Sequence, residues 1–581
     1  MMWAGLLAAA PQNPDLFPSP SNDYTPGPDS LPHPGVPAGK TFTFEMADSK
    51  IFPATTRTIT VYVPAEYHPD KPACVYVGLD GLGFRAPVVF DNLIAQHAMP
   101  VMIGVGVSPG RVDSANPPQN PRFDRSFEFD SLTDRLARFL LEEVLPAVEK
   151  HPTPAGERIV LSRDPNDRAI GGGSTGGIGA FTVAWERPDA FRRVFTAIGT
   201  FVGMRGGERY NVLVRKTEPK PLRIFMQDGV HDEWPGGPEM GDWWMSNQTM
   251  QRALEFAGYD VRHVWGAGTH NGKHAESVFP DAMRSLWRDW PKPIQAKEPG
   301  NPALKMILEP GEDWQVVADG CLHVAHLASN LKGEIVVPDS QGGAAIPIPA
   351  DARTCPQNAG GGVLAFGPNG QFYLATEQAN PTLTAHGNNL PPKVLVAGLH
   401  VRNMTARYNG DLYVTTDAPN GGLLLLRSSG ENIQLDKGLR DPSGLAFSPD
   451  GFWLFVAQGG SRWGYSYRVR SDGTLDAKLP FYDFYVPGSA DDSGAEAVWM
   501  DRAGMAYAAT RMGVQVFDRN GRVVAILPMP AHQPATSLCF GGENFNFLYV
   551  LSGGKIYRRK MHSTGFPPWV PPFTLPKWGA G

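Results

Sequence analysis

The densest chemistry in this sequence lies in Arg168-Ala-Ile-Gly-Gly-Gly-Ser-Thr-Gly-Gly-Ile-Gly-Ala-Phe181, where Gly172-Gly173-Ser174-Thr175-Gly176 satisfies G-x-S-x-G. A serine that attacks an acyl carbon has to stand clear of its surroundings on a sharp strand-to-helix turn. The residues two before and two after it then come too close to carry side chains. Ser174 is therefore the candidate nucleophile, and the Thr175 backbone N–H a candidate donor to a developing oxyanion. Glycine-rich loops also cradle phosphates. Here no Lys-Ser/Thr follows in P-loop spacing, and the acid of the dinucleotide fingerprint is missing. A plain tight turn is the remaining alternative. The strand-like 168–171 before the motif and the helix-like 177–185 after it favour the nucleophile.

A hydroxyl attacks poorly unless a base takes its proton and an acid orients that base. In this architecture the acid and then the base follow the serine along the chain. Leu222-Arg-Ile-Phe-Met-Gln-Asp-Gly-Val-His-Asp232 reads as strand then loop and makes Asp232 the candidate acid. Asp228 and Glu233 are its rivals, although Asp228 better fits an Asp-Gly turn. Gly266-Ala-Gly-Thr-His-Asn-Gly-Lys-His274 separates a strand at 261–265 from the last helix. His270 is the candidate base. His274 is the alternative, or else holds the loop or touches substrate. His231 reads as a loop residue and His263 as a surface strand residue. The second oxyanion donor is expected after an early central strand, at Gly81 or Leu82 of Val75-Tyr-Val-Gly-Leu-Asp-Gly-Leu-Gly83. Trp234, Trp243 and Trp244 flank the acid loop. They either stack on a sugar or aromatic acyl group or pack beneath the last helix.

These residues need a scaffold, and the hydrophobic rhythm supplies one. Over 41–293, strand-like runs (59–63, 74–79, 101–107, 168–171, 193–198, 222–227, 261–265) alternate with helical ones. Apolar spacing predicts helices over 131–150, with Ser131 or Asp130 as N-cap, after Gly177, after Ser246, and over 275–289. Strand–helix alternation predicts a mostly parallel sheet with helices on both faces, as in an α/β-hydrolase. After Pro299 helical periodicity fades. One phrase recurs instead, a turn glycine followed by an aromatic or β-branched strand. It stands at Gly333, Gly370, Gly410, Gly451 and Gly504, with a looser copy at Asn546-Phe-Leu-Tyr-Val. The steps of roughly 37 to 53 residues match a four-stranded blade and predict an all-β six-bladed β-propeller. A β-sandwich would not need such a phrase. The expected organisation is a tether or signal remnant at 1–40, an esterase domain at 41–293, a linker at 294–311, the propeller at 312–572 and a tail at 573–581.

Composition narrows the function classes. The 581 residues carry a formal net charge of −6. There is no basic block to recruit nucleic acid and no apolar run of about 20 residues to span a bilayer, so neither is an expected partner. Gly 65 and Pro 55 fit a turn-rich fold. Cys74, Cys321, Cys355 and Cys539 form no C-x-x-C pair, so no zinc or redox site is expected. Cys74 reads as a buried thiol, and Cys321 and Cys355 are able to pair in an oxidising compartment. The opening Met1-Met-Trp-Ala-Gly-Leu-Leu-Ala-Ala-Ala-Pro11 reads as the end of a secretory signal without its basic part, so a periplasmic or secreted location is expected. The Pro-, Asp- and Ser-rich stretch that follows reads as a tether or surface wrap.

With Asp80-Gly81, Arg125-Ser-Phe-Glu-Phe-Asp130, the Gly-Gly-Ser-Thr-Gly-Gly elbow, Gln227-Asp-Gly-Val-His-Asp232 and Gly268-Thr-His270, the first half resembles the esterase D / enterochelin-esterase family of α/β-hydrolases. That resemblance implies serine ester hydrolysis with Ser174, Asp232 and His270 as the triad. The second half resembles the gluconolactonase / regucalcin propellers, which implies one divalent metal held by Glu, Asn and Asp side chains. The ligand positions are altered here. The first glutamate's region reads Cys321-Leu-His-Val-Ala-His326, Pro-Asn-Gly has become Pro442-Ser443-Gly444, and Asp-Gly has become Glu496-Ala497 in the register of Asp501; Asn403 lies near another polar position. One carboxylate and a serine make a poor site for an ion that takes several oxygens, so no metal and no cofactor is expected. The propeller then serves as an accessory or binding domain. The expected function is serine carboxylic-ester hydrolysis of a small or carbohydrate-linked ester, feruloyl or acetyl. A metal-dependent lactone hydrolase in the propeller and a siderophore esterase are the alternatives.

Overall fold

A computed structural model describes residues 20–114, 120–341, 343–387, 391–417, 422–530 and 533–575, so the expected signal remnant at 1–11 lies outside the described residues. The chain forms two compact units, residues 1–215 with 219–298, and residues 216–218 with 299–581.

The first unit is built on one eight-stranded sheet. Its strands are β1 (Lys40–Met46), β2 (Arg57–Val63), β3 (Cys74–Leu79), β4 (Met102–Val107), β5 (Arg168–Gly173), β6 (Arg193–Ala197), β7 (Arg223–Gly229) and β8 (Asp260–Gly266). They lie in the order β1-β2-β4-β3-β5-β6-β7-β8. β2 runs antiparallel to β1 and β4, and all the other neighbours are parallel. The alternation of side chains explains why the central strands read as unbroken apolar runs. Val75 and Val77 of β3 face one core with Phe181 and Leu254, while Tyr76 faces a second core with Phe90 and Phe279. Helices α1 (Ala86–Ala95) and α4 (Gly272–Trp287) cover the second face, and α2 (Thr175–Glu186) and α3 (Trp243–Ala257) cover the first.

The helix expected over 131–150 starts later, at Arg135. Neither proposed cap serves it, since Asp130 ends the short helix Arg125–Phe129 and Ser131 donates its hydroxyl back to the Phe127 carbonyl. Its middle, Phe139–Val144, adopts π-type hydrogen bonding before the segment Leu145–Lys150. Pro146 has no N–H for the carbonyl four residues earlier, which loosens the ladder at that point.

The second unit is a six-bladed propeller. Four consecutive four-stranded sheets span 363–397, 401–437, 442–483 and 497–527, and a three-stranded sheet comprises Ala328–Ser329, Ile335–Pro338 and Ala345–Ile348. In the sixth blade Gln315–Ala318 pairs antiparallel with Lys555–Lys560, so the first strand of the unit completes the blade made by its last three. The repeated glycine has one physical cause. Gly333, Gly370, Gly410, Gly451 and Gly504 all have φ between 74° and 84°, in a turn conformation that side chains oppose. The stretch read as linker differs from expectation. Asn301 caps a helix Pro302–Ile307 by accepting the Ala303 N–H at 2.9 Å, and Leu304 and Ile307 are buried in a propeller core.

Cys321 and Cys355 form a disulfide with Cα atoms 5.2 Å apart across 34 residues of sequence, a span that contains the whole three-stranded blade. Cys74 and Cys539 are free and buried. Closing a loop of this length restricts the unfolded chain by roughly 3–4 kcal/mol. Cys321→Ser should therefore lower the propeller's unfolding midpoint by several degrees in differential scanning calorimetry. A midpoint unchanged from the parent would contradict that stabilisation.

Candidate active site

Ser174 stands between β5 and α2 with φ 55° and ψ −124°, a backbone state that a side chain ordinarily avoids at a cost of about 1–3 kcal/mol. The surrounding glycines explain how the chain reaches it. A Cβ on Gly172 would lie 2.6 Å from the Gly176 carbonyl group, and one on Gly176 would meet Asp80 Oδ2 at 3.0 Å. The turn is pinned by Ser174 N–H to the Ala197 carbonyl (2.9 Å). The Ser174 carbonyl accepts from Gly177 N–H (2.9 Å) and Thr200 N–H (3.2 Å).

The three sequence candidates meet there. His270 Nε2 lies 2.9 Å from Ser174 Oγ, and His270 Nδ1 lies 2.9 Å from each Asp232 carboxylate oxygen. A proton on Nδ1 engaged by the carboxylate leaves the Nε2 lone pair for the serine O–H, the tautomer a general base requires. The Asp232 side chain is fully buried whereas the imidazole is 23% exposed, so the acid is shielded from water and the base can be reached.

The rivals are placed elsewhere. Asp228 lies on β7, completely buried, and accepts the N–H of Gly229 at 2.7 Å. Burial, and then the neighbouring Asp232 carboxylate, push its pKa far above the usual carboxyl range. Two adjacent buried carboxyls do not readily both ionise, so Asp228 holds its proton beside the acid that faces His270. The Glu233 carbonyl accepts the Trp243 N–H at 3.2 Å. His274 is a correction to the expectation of a substrate contact. It is buried, its Nδ1 lies 2.9 Å from Gln227 Nε2, and its ring stacks on Tyr24 at 4.1 Å. Burial holds it below the ordinary imidazole value, so it supports the His270 loop as a neutral ring. His263 is exposed and stacks on Trp265.

Of the oxyanion candidates, Gly81 is also corrected, because its N–H donates to the Val107 carbonyl at 3.3 Å. The Leu82 amide remains, in a turn pressed so closely on β4 that a Cβ on Gly106 would lie 2.6 Å from the Leu82 nitrogen. Thr175 opens α2, where the helix end favours negative charge, and its hydroxyl is turned away to Asp130 Oδ2 at 3.3 Å. The three tryptophans separate. Trp243 is buried edge-on to His270 at 5.5 Å, which corrects it from substrate contact to a wall behind the base. Trp244 packs on Trp265, and Trp234 is 54% exposed.

Three further residues at the site carried no role in the sequence reading. Thr200 Oγ1 lies 3.4 Å from Ser174 Oγ and accepts the Trp243 indole N–H at 3.3 Å. Arg125 binds both oxygens of Asp80 at 2.7 Å and reaches the Gly173 carbonyl at 3.5 Å, tying the turn after β3 to the elbow. The Phe84 ring borders both Gly173 and Gly272. Nothing in Ile198-Gly-Thr200 marks the threonine. For Arg125 the family phrase was the available signal.

The propeller positions at which the gluconolactonase resemblance implies a divalent cation do not fit one here. Asn403 donates from Nδ2 to the Glu496 carbonyl (3.1 Å), and its Oδ1 accepts the Met404 N–H (2.8 Å). Ser443 donates its hydroxyl to the Ala495 carbonyl, and the Glu496 carboxylate is paired with Arg402 at 3.0 Å. His326 is half-buried, and loss of water around its ring pushes its pKa down to about 4. The oxygens a cation would need are already engaged. Among the described residues there is no metal-binding group of three His, Cys, Asp or Glu.

Residues 52–285 match the family model described as "Putative esterase", and residues 354–554 match that of the "SMP-30/Gluconolactonase/LRE-like region". The first unit is esterase-like and the second gluconolactonase-like. At family level the esterase-like unit is a carboxylic ester hydrolase. An uncharacterized protein, YbbA, of Bacillus subtilis is 24% identical over 185 residues, 31% of this chain and 70% of that protein. A 6-deoxy-6-sulfogluconolactonase of Pseudomonas putida is 29% identical over 136 residues, 23% of this chain and 45% of that protein. A solved ferulic acid esterase is 18% identical with a TM-score of 0.34, covering 43% of this chain and 99% of its own. No helix among the described residues is long and apolar enough to cross a membrane.

The two adjacent acids give the esterase-like unit a pH signature. The folded state binds the Asp228 proton more tightly than the unfolded chain does. Its contribution to stability is therefore complete below the ordinary carboxyl range and is lost as pH rises toward the raised value. Asp228→Asn keeps the acceptor for Gly229 N–H and removes the titration. The variant should gain unfolding midpoint over the parent between pH 4 and pH 8. Parallel pH curves for the two proteins would refute a neutral Asp228.

Proposed function

We propose that the esterase-like unit is a serine carboxylic-ester hydrolase with Ser174 as nucleophile, His270 as general base and Asp232 as the acid that fixes the imidazole tautomer. The observation that carries this reading is the unbroken hydrogen-bond chain from Asp232 through His270 to Ser174 Oγ. Ser174 Oγ attacks the ester carbonyl as Nε2 takes its proton, and the Thr175 and Leu82 amides receive the oxyanion. Collapse returns that proton to the departing alcohol and leaves an acyl group on Ser174. Water, deprotonated by His270, then releases the acid and restores the serine. No cofactor enters these steps.

We further propose carbohydrate-linked or plant phenolic esters, feruloyl or acetyl, as the substrates. Support comes from the aromatic setting: the Phe84 ring beside Gly173 and the exposed Trp234 on the acid loop. The Arg125 guanidinium, which reaches the elbow at Gly173, is held by Asp80, which weighs against a polyanionic substrate. The propeller serves as an accessory or binding domain. The Cys321–Cys355 bond supports a periplasmic or secreted setting.

Ser174→Ala should lower kcat on p-nitrophenyl acetate at least about a thousandfold, and Asp232→Asn about a thousand- to ten-thousandfold. EDTA should leave the parent rate unchanged. Activity that survives Ser174→Ala and collapses with EDTA would transfer the hydrolysis to a metal-dependent lactonase. For the substrate class, methyl ferulate or acetylated xylan should exceed enterobactin in kcat/KM by about tenfold or more. The reverse order would replace the phenolic and carbohydrate assignment with a siderophore one.

A further inference from the structure

The segment read as a surface wrap lies on the loop that carries the base. Asn22 accepts at Oδ1 from the Thr269 N–H (3.1 Å) and from the Asn271 side-chain amide, and donates from Nδ2 to Thr269 Oγ1 (3.1 Å). One side chain, some 250 residues upstream, therefore bonds both sequence neighbours of His270. On either side, Ser21 N–H donates to the Ala267 carbonyl at 2.9 Å, and the Tyr24 hydroxyl accepts the Ala267 N–H at 2.8 Å while its ring stacks on His274. The segment is fastened further along. Asp29 pairs with Arg284 of α4 at 2.7 Å and accepts from Gln96 at 2.8 Å, and Asn92 of α1 donates to the Asp29 and Leu31 carbonyls.

We propose that Asn22 is a positioning residue for proton transfer between Ser174 and His270, and that 20–31 is a working part of the esterase site. This rests on the triad reading above. β8 is the outermost strand of the sheet, so the loop leaving it has a neighbouring strand on one side only. Gly266 ends β8 and Gly268 follows in the loop, and neither brings a side chain that could pin the chain there. Both glycines also make room for the strap. A Cβ on Gly266 would meet the Tyr24 hydroxyl at 2.3 Å, and one on Gly268 would meet Asn22 Oδ1 at 3.3 Å. The glycines that let the strap in would leave His270 poorly fixed without it. A displacement of about 1 Å at a reacting group costs on the order of a hundredfold in rate.

The test compares Asn22→Leu, Asn22→Asp, Tyr24→Phe and Ser174→Ala in the full chain, using p-nitrophenyl acetate turnover and the rate at which a fluorophosphonate labels Ser174. Asn22→Leu should lose about ten- to a hundredfold in kcat and in labelling rate, with KM within about threefold. Asn22→Asp keeps the acceptor for Thr269 and Asn271 and should recover most of that loss. Tyr24→Phe keeps the ring stack, loses one acceptor, and should fall by about three- to tenfold. Tyr24→Phe also stands in as the readout should Asn22→Leu fail to fold. An inactive Ser174→Ala beside parental kcat in Asn22→Leu, or in a sole folded Tyr24→Phe, would overturn the strap's role and leave the triad standing. An active Ser174→Ala would overturn both.

Discussion

The serine proton has to move to an imidazole 2.9 Å away, and that short path constrains much of the first unit. Serine, acid and base each sit just beyond the C-terminal end of a parallel strand, β5, β7 and β8. Parallel strands end at the same level, so the acid and the serine, 38 and 96 residues before the base in sequence, converge with it on one point. The sheet therefore acts as a ruler. Its twin apolar faces, covered by α1 and α4 on one side and α2 and α3 on the other, keep the strand ends from drifting.

Around that path, polar groups are arranged so that charge resides on the atom that uses it. Asp232 faces the imidazole, and its buried neighbour Asp228 keeps its proton. Arg125 and Asp80 neutralise each other beside the elbow, and neutral His274 supports the loop from below. In the propeller, at the positions where the gluconolactonase resemblance implies a cation, Arg402 faces Glu496 and amide groups bond one another.

What could be read from the sequence follows from the range of the forces involved. The elbow was legible because its steric demand is local: two glycines two residues either side of a serine. The blades were legible because five of the six repeat the same positive-φ turn, at Gly333, Gly370, Gly410, Gly451 and Gly504. Thr200 and Asn22 left no local trace, since their partners are distant in the chain and threonine or asparagine is ordinary at such positions. His274 was ambiguous for the opposite reason. A histidine in a catalytic loop has the right type for chemistry, and only burial beneath Tyr24 shows that it is packing. The late start of the helix at Arg135 reflects the short helix before it, which had already taken Asp130 as its own end.

The pairing of Gln315–Ala318 with Lys555–Lys560 also governs how the chain can be assembled. The partners Gln315 and Arg558 are 243 residues apart, so this ring cannot close during synthesis until nearly all of it has left the ribosome. Until then the outermost blade lacks a strand, and the neighbouring backbone presents unpaired amides and carbonyls that invite the wrong partner. The sheet around Ser174 has no such dependence, because every strand it needs precedes residue 267. The order of translation thus lets the esterase-like unit mature while the propeller is still an open ribbon, and makes the final strand the latch of the whole β-array.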